Sequence, residues 1–76
     1  MKELIEHIAK ALVDDPSQVS VTEVTTGADI VLELRVGPAD MGRVIGRGGK
    51  VINAMRTLAQ VCAVREAKRA HLELIE

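Results

Sequence analysis

Three of the four residues in Gly46-Arg47-Gly48-Gly49 are glycine, and the segment is bracketed by Val44-Ile45 on one side and Val51-Ile52 on the other. Glycine reaches positive φ without a Cβ clash and lets another molecule approach the main chain closely. Such a run must form a turn, and the turn carries the cations Arg47 and Lys50. From Lys50 onward the apolar spacing is helical, so the turn delivers its amides to a helix N-terminus. Unpaired N–H groups and the helix dipole both favour an anion there. The first ligand to expect is a phosphate.

The chain has 76 residues and no Phe, Tyr or Trp. A chain this short buries only about 60% of its unfolded surface, so it is expected to form one domain over residues 1–76 with an aliphatic core. Such a core is marginal, and dimerisation is one way to supplement it. The single cysteine, Cys62, can form no internal disulfide, which fits a reducing, cytoplasmic setting. Glu3, Glu6 and Lys10 interrupt the first apolar segment; no run reaches signal-peptide or membrane-span length, and no membrane partner is expected.

The formal net charge is −1, whereas nucleic-acid-binding domains are commonly basic. The distribution is uneven. Met1–Leu34 holds two Lys/Arg against seven Asp/Glu, or −5, and Arg35–Glu76 holds eight against four, or +4. The positive half contains the glycine turn.

In chain order, Leu4, Ile5, Ile8, Ala9 and Leu12 predict an amphipathic helix from Lys2 to Val13, ended by Asp14-Asp15-Pro16. Val19 and Val21 predict a strand from Gln18 to Thr25, with Val24 out of phase as a bulge or strand end. After the turn at Thr26-Gly27-Ala28-Asp29, Ile30, Leu32, Leu34 and Val36 alternate with Val31, Glu33 and Arg35, giving a hairpin. Pro38 starts a short helix to Val44, with Asp40 complementing its positive end. In the long helix after the turn, Val51, Met55, Leu58, Ala59 and Cys62 form the expected core stripe, with Ile52 at its margin. Ala54, Thr57, Val61 and Val64 form a second strip: either a partner surface or a contact beneath the N-terminal helix. Ala70, Leu72 and Leu74 predict a last strand. The fold class is therefore α+β, in the order α-β-β-α-α-β, with a three-stranded sheet and helices on one face.

At this point Ile45-Gly46-Arg47-Gly48-Gly49-Lys50-Val51-Ile52 resembles the Ile-Gly-x-x-Gly-x-x-Ile signature of KH domains. The element order resembles the type II arrangement and departs from type I, which begins with a strand. The resemblance covers essentially the whole chain. It implies single-stranded RNA binding, with a role as RNA chaperone or post-transcriptional regulator. For small free-standing members it also implies dimerisation, with a second copy or with a larger KH-containing RNA-binding protein.

In such a clamp the GxxG loop holds the backbone of about four nucleotides. Gly46, Gly48 and Gly49 let the main chain approach phosphates, and Arg47 and Lys50 add charge-assisted contacts. Ile45 and Ile52 would line an aliphatic floor for bases, and Arg43 and Arg56 would extend the positive rim. RRM and OB-fold proteins stack bases on aromatic rings, which this chain lacks. Binding by one domain is thus expected to be weak, short-site and salt-sensitive, with affinity gained through dimerisation or a second RNA-binding partner.

The competing enzyme reading fails on spacing. A Walker A loop ending at Gly49-Lys50 would need glycine at Val44 and Ser or Thr at Val51, and a dinucleotide loop starting at Gly46 would need glycine at Val51. His7, His71 and Cys62 fall on a polar helix face, a strand's outer side and the core stripe, so none is expected to be catalytic or to ligate a metal, and no cofactor is expected. Two other readings stay open: a KH-fold protein-interaction module with little RNA binding, and a single-stranded DNA binder.

Overall fold

The structure is a computed structural model describing residues 1–76. The chain runs α1 (Lys2–Leu12), β1 (Ser20–Thr26), β2 (Asp29–Arg35), α2 (Met41–Ile45), α3 (Lys50–Val64) and β3 (Arg69–Ile75), with single 3-10 turns at Pro16–Gln18, Pro38–Asp40 and Arg47–Gly49. The sheet has the order β1-β2-β3. β1 pairs antiparallel with β2 through the hairpin turn, and β3 returns through α2 and α3 to lie parallel to β2, with Arg35 opposite Ile75.

Strand alternation divides the sheet into two faces. Val21, Ile30, Leu32, Leu34 and Leu72 point to the helices and are buried with Ile5 and Ala9 of α1 and Val44, Ile52, Met55 and Ala59 of the other two helices. Every member of this core is aliphatic or Met, and each fully buried Ile or Leu contributes about 1.5–3 kcal/mol. The other face carries Val24, Val31 and His71 in one cross-strand row and Thr22, Glu33 and Glu73 in another.

Three expectations change here. Val24 is neither a bulge nor an end: it sits in unbroken register opposite Val31 and is 49% exposed on the open face. The buried stripe of α3 is Ile52, Met55, Ala59 and Ala63, rotated from the expected one, so Leu58 is 46% exposed. The sequence showed apolar residues on nearly every side of α3; only the position of the sheet picks out the inward one. The 3-10 turn and α2 together replace the single helix expected from Pro38 to Val44.

Asp40 also acts differently from the expectation of complementing a helix end. It is 3% exposed and accepts the backbone N–H groups of Asp14 and Asp15 at 3.0 and 3.1 Å. A carboxylate 26 residues along the chain thus satisfies the amides left where α1 stops, and it fixes the start of α2 against the end of α1.

Candidate functional site

α2 ends at Ile45 because Gly46 takes φ 74°, ψ 174°, a conformation that side-chain-bearing residues rarely adopt. A Cβ at Gly46 would also lie 2.4 Å from Val51 Cγ2. Glycine is required there for both reasons. Gly48 and Gly49 follow in the left-handed region at φ 63° and 79°, and a Cβ on Gly48 would meet open space.

The loop closes when the Gly49 N–H donates to the Gly46 carbonyl at 3.2 Å. α3 then begins at Lys50 with no side-chain cap on its amides. Arg47 and Lys50 are exposed, and neither takes part in an ion pair. The Lys50 N–H donates to the Arg47 carbonyl, so what the turn presents is a helix start without a side-chain cap, positive-φ glycines and unneutralised cations at one place, an arrangement suited to phosphate.

Beside the loop lies a cavity of about 340 Å³ lined by Val36, Pro38, Met41, Ile45 and Glu76. Ile45, 37% exposed, joins it directly to Gly46. Ile52, by contrast, is 5% exposed and belongs to the core; it supports the start of α3 from beneath.

The flanking arginines lie apart from each other. Arg56 donates from Nε to the Leu72 carbonyl at 3.1 Å and from Nη1 to Asn53 Oδ1 at 3.0 Å, and Gln60 Oε1 accepts the Ala70 N–H at 3.0 Å. Both side chains bridge from α3 to backbone groups of β3, which is an edge strand. Arg43 sits about 160° around α2 from Ile45 at ordinary helical spacing. Its Nη2 pairs with Asp14 Oδ2 at 3.0 Å and its Nε lies 3.7 Å from Asp40 Oδ1. Ile45, the glycine loop, Arg47 and Lys50 thus form one continuous surface; Arg56 stands at the β3 edge and Arg43 on the opposite flank.

The second strip of α3 is open. Ala54 and Thr57 are exposed, and Val61 and Val64 are 57% and 63% exposed, so this strip does not pack beneath α1. Exposed Leu58 widens it.

Sequence reasoning missed the cavity. Met41 and Ile45 are four apart and share a helical face, a legible signal, but Val36 and Glu76 join them only through the β2–β3 register. No group of three or more His, Cys, Asp or Glu side chains could hold a metal ion. No helix is long and apolar enough to cross a membrane.

The profile of the KhpA/KhpB KH-domain family matches residues 2–74. The RNA-binding protein KhpA of Clostridium acetobutylicum is 52% identical over 75 residues, covering 99% of this chain and all of that protein. The KhpA protein of Clostridium perfringens is 49% identical over the same share of each chain. That of Aquifex aeolicus is 41% identical over 76 residues, or 100% of this chain and 96% of the relative.

Proposed function

The chain belongs to the KhpA/KhpB KH-domain family, and from that premise we propose that it binds single-stranded RNA by clamping the sugar–phosphate backbone with Gly46-Arg47-Gly48-Gly49. It is a binding protein and not an enzyme. The observation that carries the clamp is the pairing of positive-φ glycines with Arg47 and Lys50, which are exposed and free of ion pairs. Phosphates approach the main chain at the glycines, the cations add charge-assisted hydrogen bonds, and bases lie over Ile45 towards the cavity. Arg56 borders the bases at the β3 edge. Arg43 reaches phosphate only by leaving Asp14.

One clamp with so few cations binds weakly, so affinity comes from a second one. The exposed strip of Ala54, Thr57, Val61 and Val64 supports a dimer formed with another copy or with a larger KH-containing RNA-binding protein. The paired protein acts in the cytoplasm as an RNA chaperone or post-transcriptional regulator.

Fluorescence anisotropy with a labelled unstructured RNA at low salt tests the clamp, with DNA of the same sequence as comparator. The double substitution Arg47→Asp with Gly48→Asp places negative charge against phosphate and should weaken binding by about 100-fold or more. The circular dichroism spectrum should stay native, because Gly48 has open space around it and Asp tolerates the left-handed region. Undiminished binding by the double variant, or no RNA binding by the wild type, removes the loop from the function.

A further inference from the structure

The sheet ends in two edges of different kinds. β3 is covered: Arg56 Nε donates to the Leu72 carbonyl and Gln60 Oε1 accepts the Ala70 N–H, so α3 side chains occupy backbone groups that a further strand would use. β1, at the other edge, has no such cover. No side chain and no loop hydrogen-bonds to its backbone, and all of its residues except Val21 are exposed.

The hairpin decides which backbone groups point outward. Its two-residue turn, with Gly27 at φ 59°, makes Thr26 and Asp29 a hydrogen-bonded pair, and alternation then commits Val24, Thr22 and Ser20 to β2 as well. The N–H and C=O groups of Val21, Glu23 and Thr25 therefore point away from the sheet. Native edges are commonly blunted by Lys, Pro, a bulge or a short strand. β1 has none of these: it pairs with β2 without interruption from Ser20 to Thr26 and consists of Val, Thr, Ser20 and Glu23.

The side chains on this edge select what fits it. Glu23 is the only charge on the strand; it is exposed and in no ion pair, and it belongs to the acidic half of the chain. On the other face Val24 is 49% exposed and lies opposite Val31. An added strand meets a carboxylate on the helix side and an apolar row on the open side. A second copy of the chain fits poorly: full-length antiparallel pairing of two β1 strands sets each Glu23 opposite the other, and like charges directly opposite are unfavourable.

We infer that the β1 edge is a docking site for an extended segment of another protein in which Lys or Arg alternates with β-branched residues. The segment's backbone pairs with Val21, Glu23 and Thr25, its cations face Glu23, and its β-branched side chains extend the row of Val24 and Val31. The site is at the opposite edge of the sheet from Arg56 and uses neither the clamp nor the α3 strip.

The probe is a labelled synthetic peptide of about seven residues alternating Lys and Val, matched to the strand length. A Glu–Val peptide and an N-methylated Lys–Val peptide are the comparators, and binding is read by anisotropy and by amide shifts in NMR spectra of the full chain. The Lys–Val peptide should bind at low salt about 10-fold or more tightly than the Glu–Val peptide, with shifts gathered on β1, and Glu23→Lys should reverse that order. Thr25→Pro removes one outward N–H and no bond to β2, so it should weaken Lys–Val binding about 10-fold while the circular dichroism spectrum stays native. N-methylation keeps the peptide's charges and removes its donors; it should weaken binding to wild type at least as much, and it decides the question if Thr25→Pro does not fold. Equal affinity for the Lys–Val peptide and its N-methylated form, or shifts gathered on α3 or the open sheet face, would overturn the site by reducing the contact to charge attraction alone. A dimer that Thr25→Pro converts to monomer would give the edge to a second copy and overturn the basic segment.

Discussion

Two connections in this molecule have opposite characters. The link after α1, from Asp14 to Gln18, uses its polar groups internally. Asp15 accepts the Ser17 N–H and the Ser17 and Gln18 side chains, while Asp40 holds the amides of Asp14 and Asp15. The turn from Gly46 to Gly49, and α3 beyond it, closes through backbone hydrogen bonds alone and leaves its side chains unused: the helix start has no side-chain cap, Arg47 and Lys50 have no ion-pair partner, and the outer strip has no cover. One connection is closed by carboxylates, and the other is open to a ligand. A small domain keeps an open loop in place by closing the segment against which that loop's helix is anchored. Asp40 is the residue at which the two regions meet.

The comparison breaks most severely at Asp40. Asp40→Ala strands two part-buried amides, each costing about 1–3 kcal/mol, so denaturant unfolding should report a loss of about 2–4 kcal/mol. Asp40→Asn keeps one acceptor oxygen and should lose roughly half as much. A loss below about 0.5 kcal/mol for Asp40→Ala would show that water satisfies these amides equally well.

On the open side, Val61→Glu should convert a dimer to a monomer in sedimentation. Stability of the fold should change by about 0.5 kcal/mol or less, because an exposed site away from the core tolerates charge. An unchanged mass, or unfolding, would sink the α3 strip as an interface.

The smallest effect belongs to pH at the closed connection. Hydrogen bonds from the Ser17 side chain, then from Gln18 and the Ser17 amide, hold the Asp15 carboxyl below its ordinary 3.8. A depressed carboxyl stabilises the fold fully above the unfolded value and loses that contribution as pH falls through the lower folded value. Wild type should therefore exceed Asp15→Ala in stability at neutral pH by a small margin that closes as pH falls through the lowered value of the folded-state carboxyl. RNA binding, which does not use this turn, should be unaltered by Asp15→Ala at pH 7. A margin independent of pH would show that the Asp15 hydrogen bonds add nothing in water.

Much of this was legible in the residues. The alternation of Ile30, Leu32 and Leu34 gave a strand, the spacing of Ile5 and Ala9 gave a helix face, and the bracketed glycines gave the turn, because each depends on neighbours within a few positions. α3 was harder. With apolar residues around most of its circumference, periodicity placed Leu58 inside and Ile52 at the margin, and packing on the sheet reversed them. Arg43 and Arg56 looked equivalent from their closeness to the loop, yet one is tied to Asp14 and the other to the Leu72 carbonyl.

The sequence by itself determined the order of elements, the glycine turn with its cations, and the concentration of positive charge in that half of the chain. These follow from local backbone preference and composition. Only the tertiary structure decided that Asp40 closes the Asp14–Asp15 junction, that Val36 and Glu76 join Met41 and Ile45 around a cavity, and that Ile52 rather than Leu58 faces the core. Each of those depends on atoms brought together by the sheet register and the packing of helices across it, at distances along the chain that no local pattern encodes.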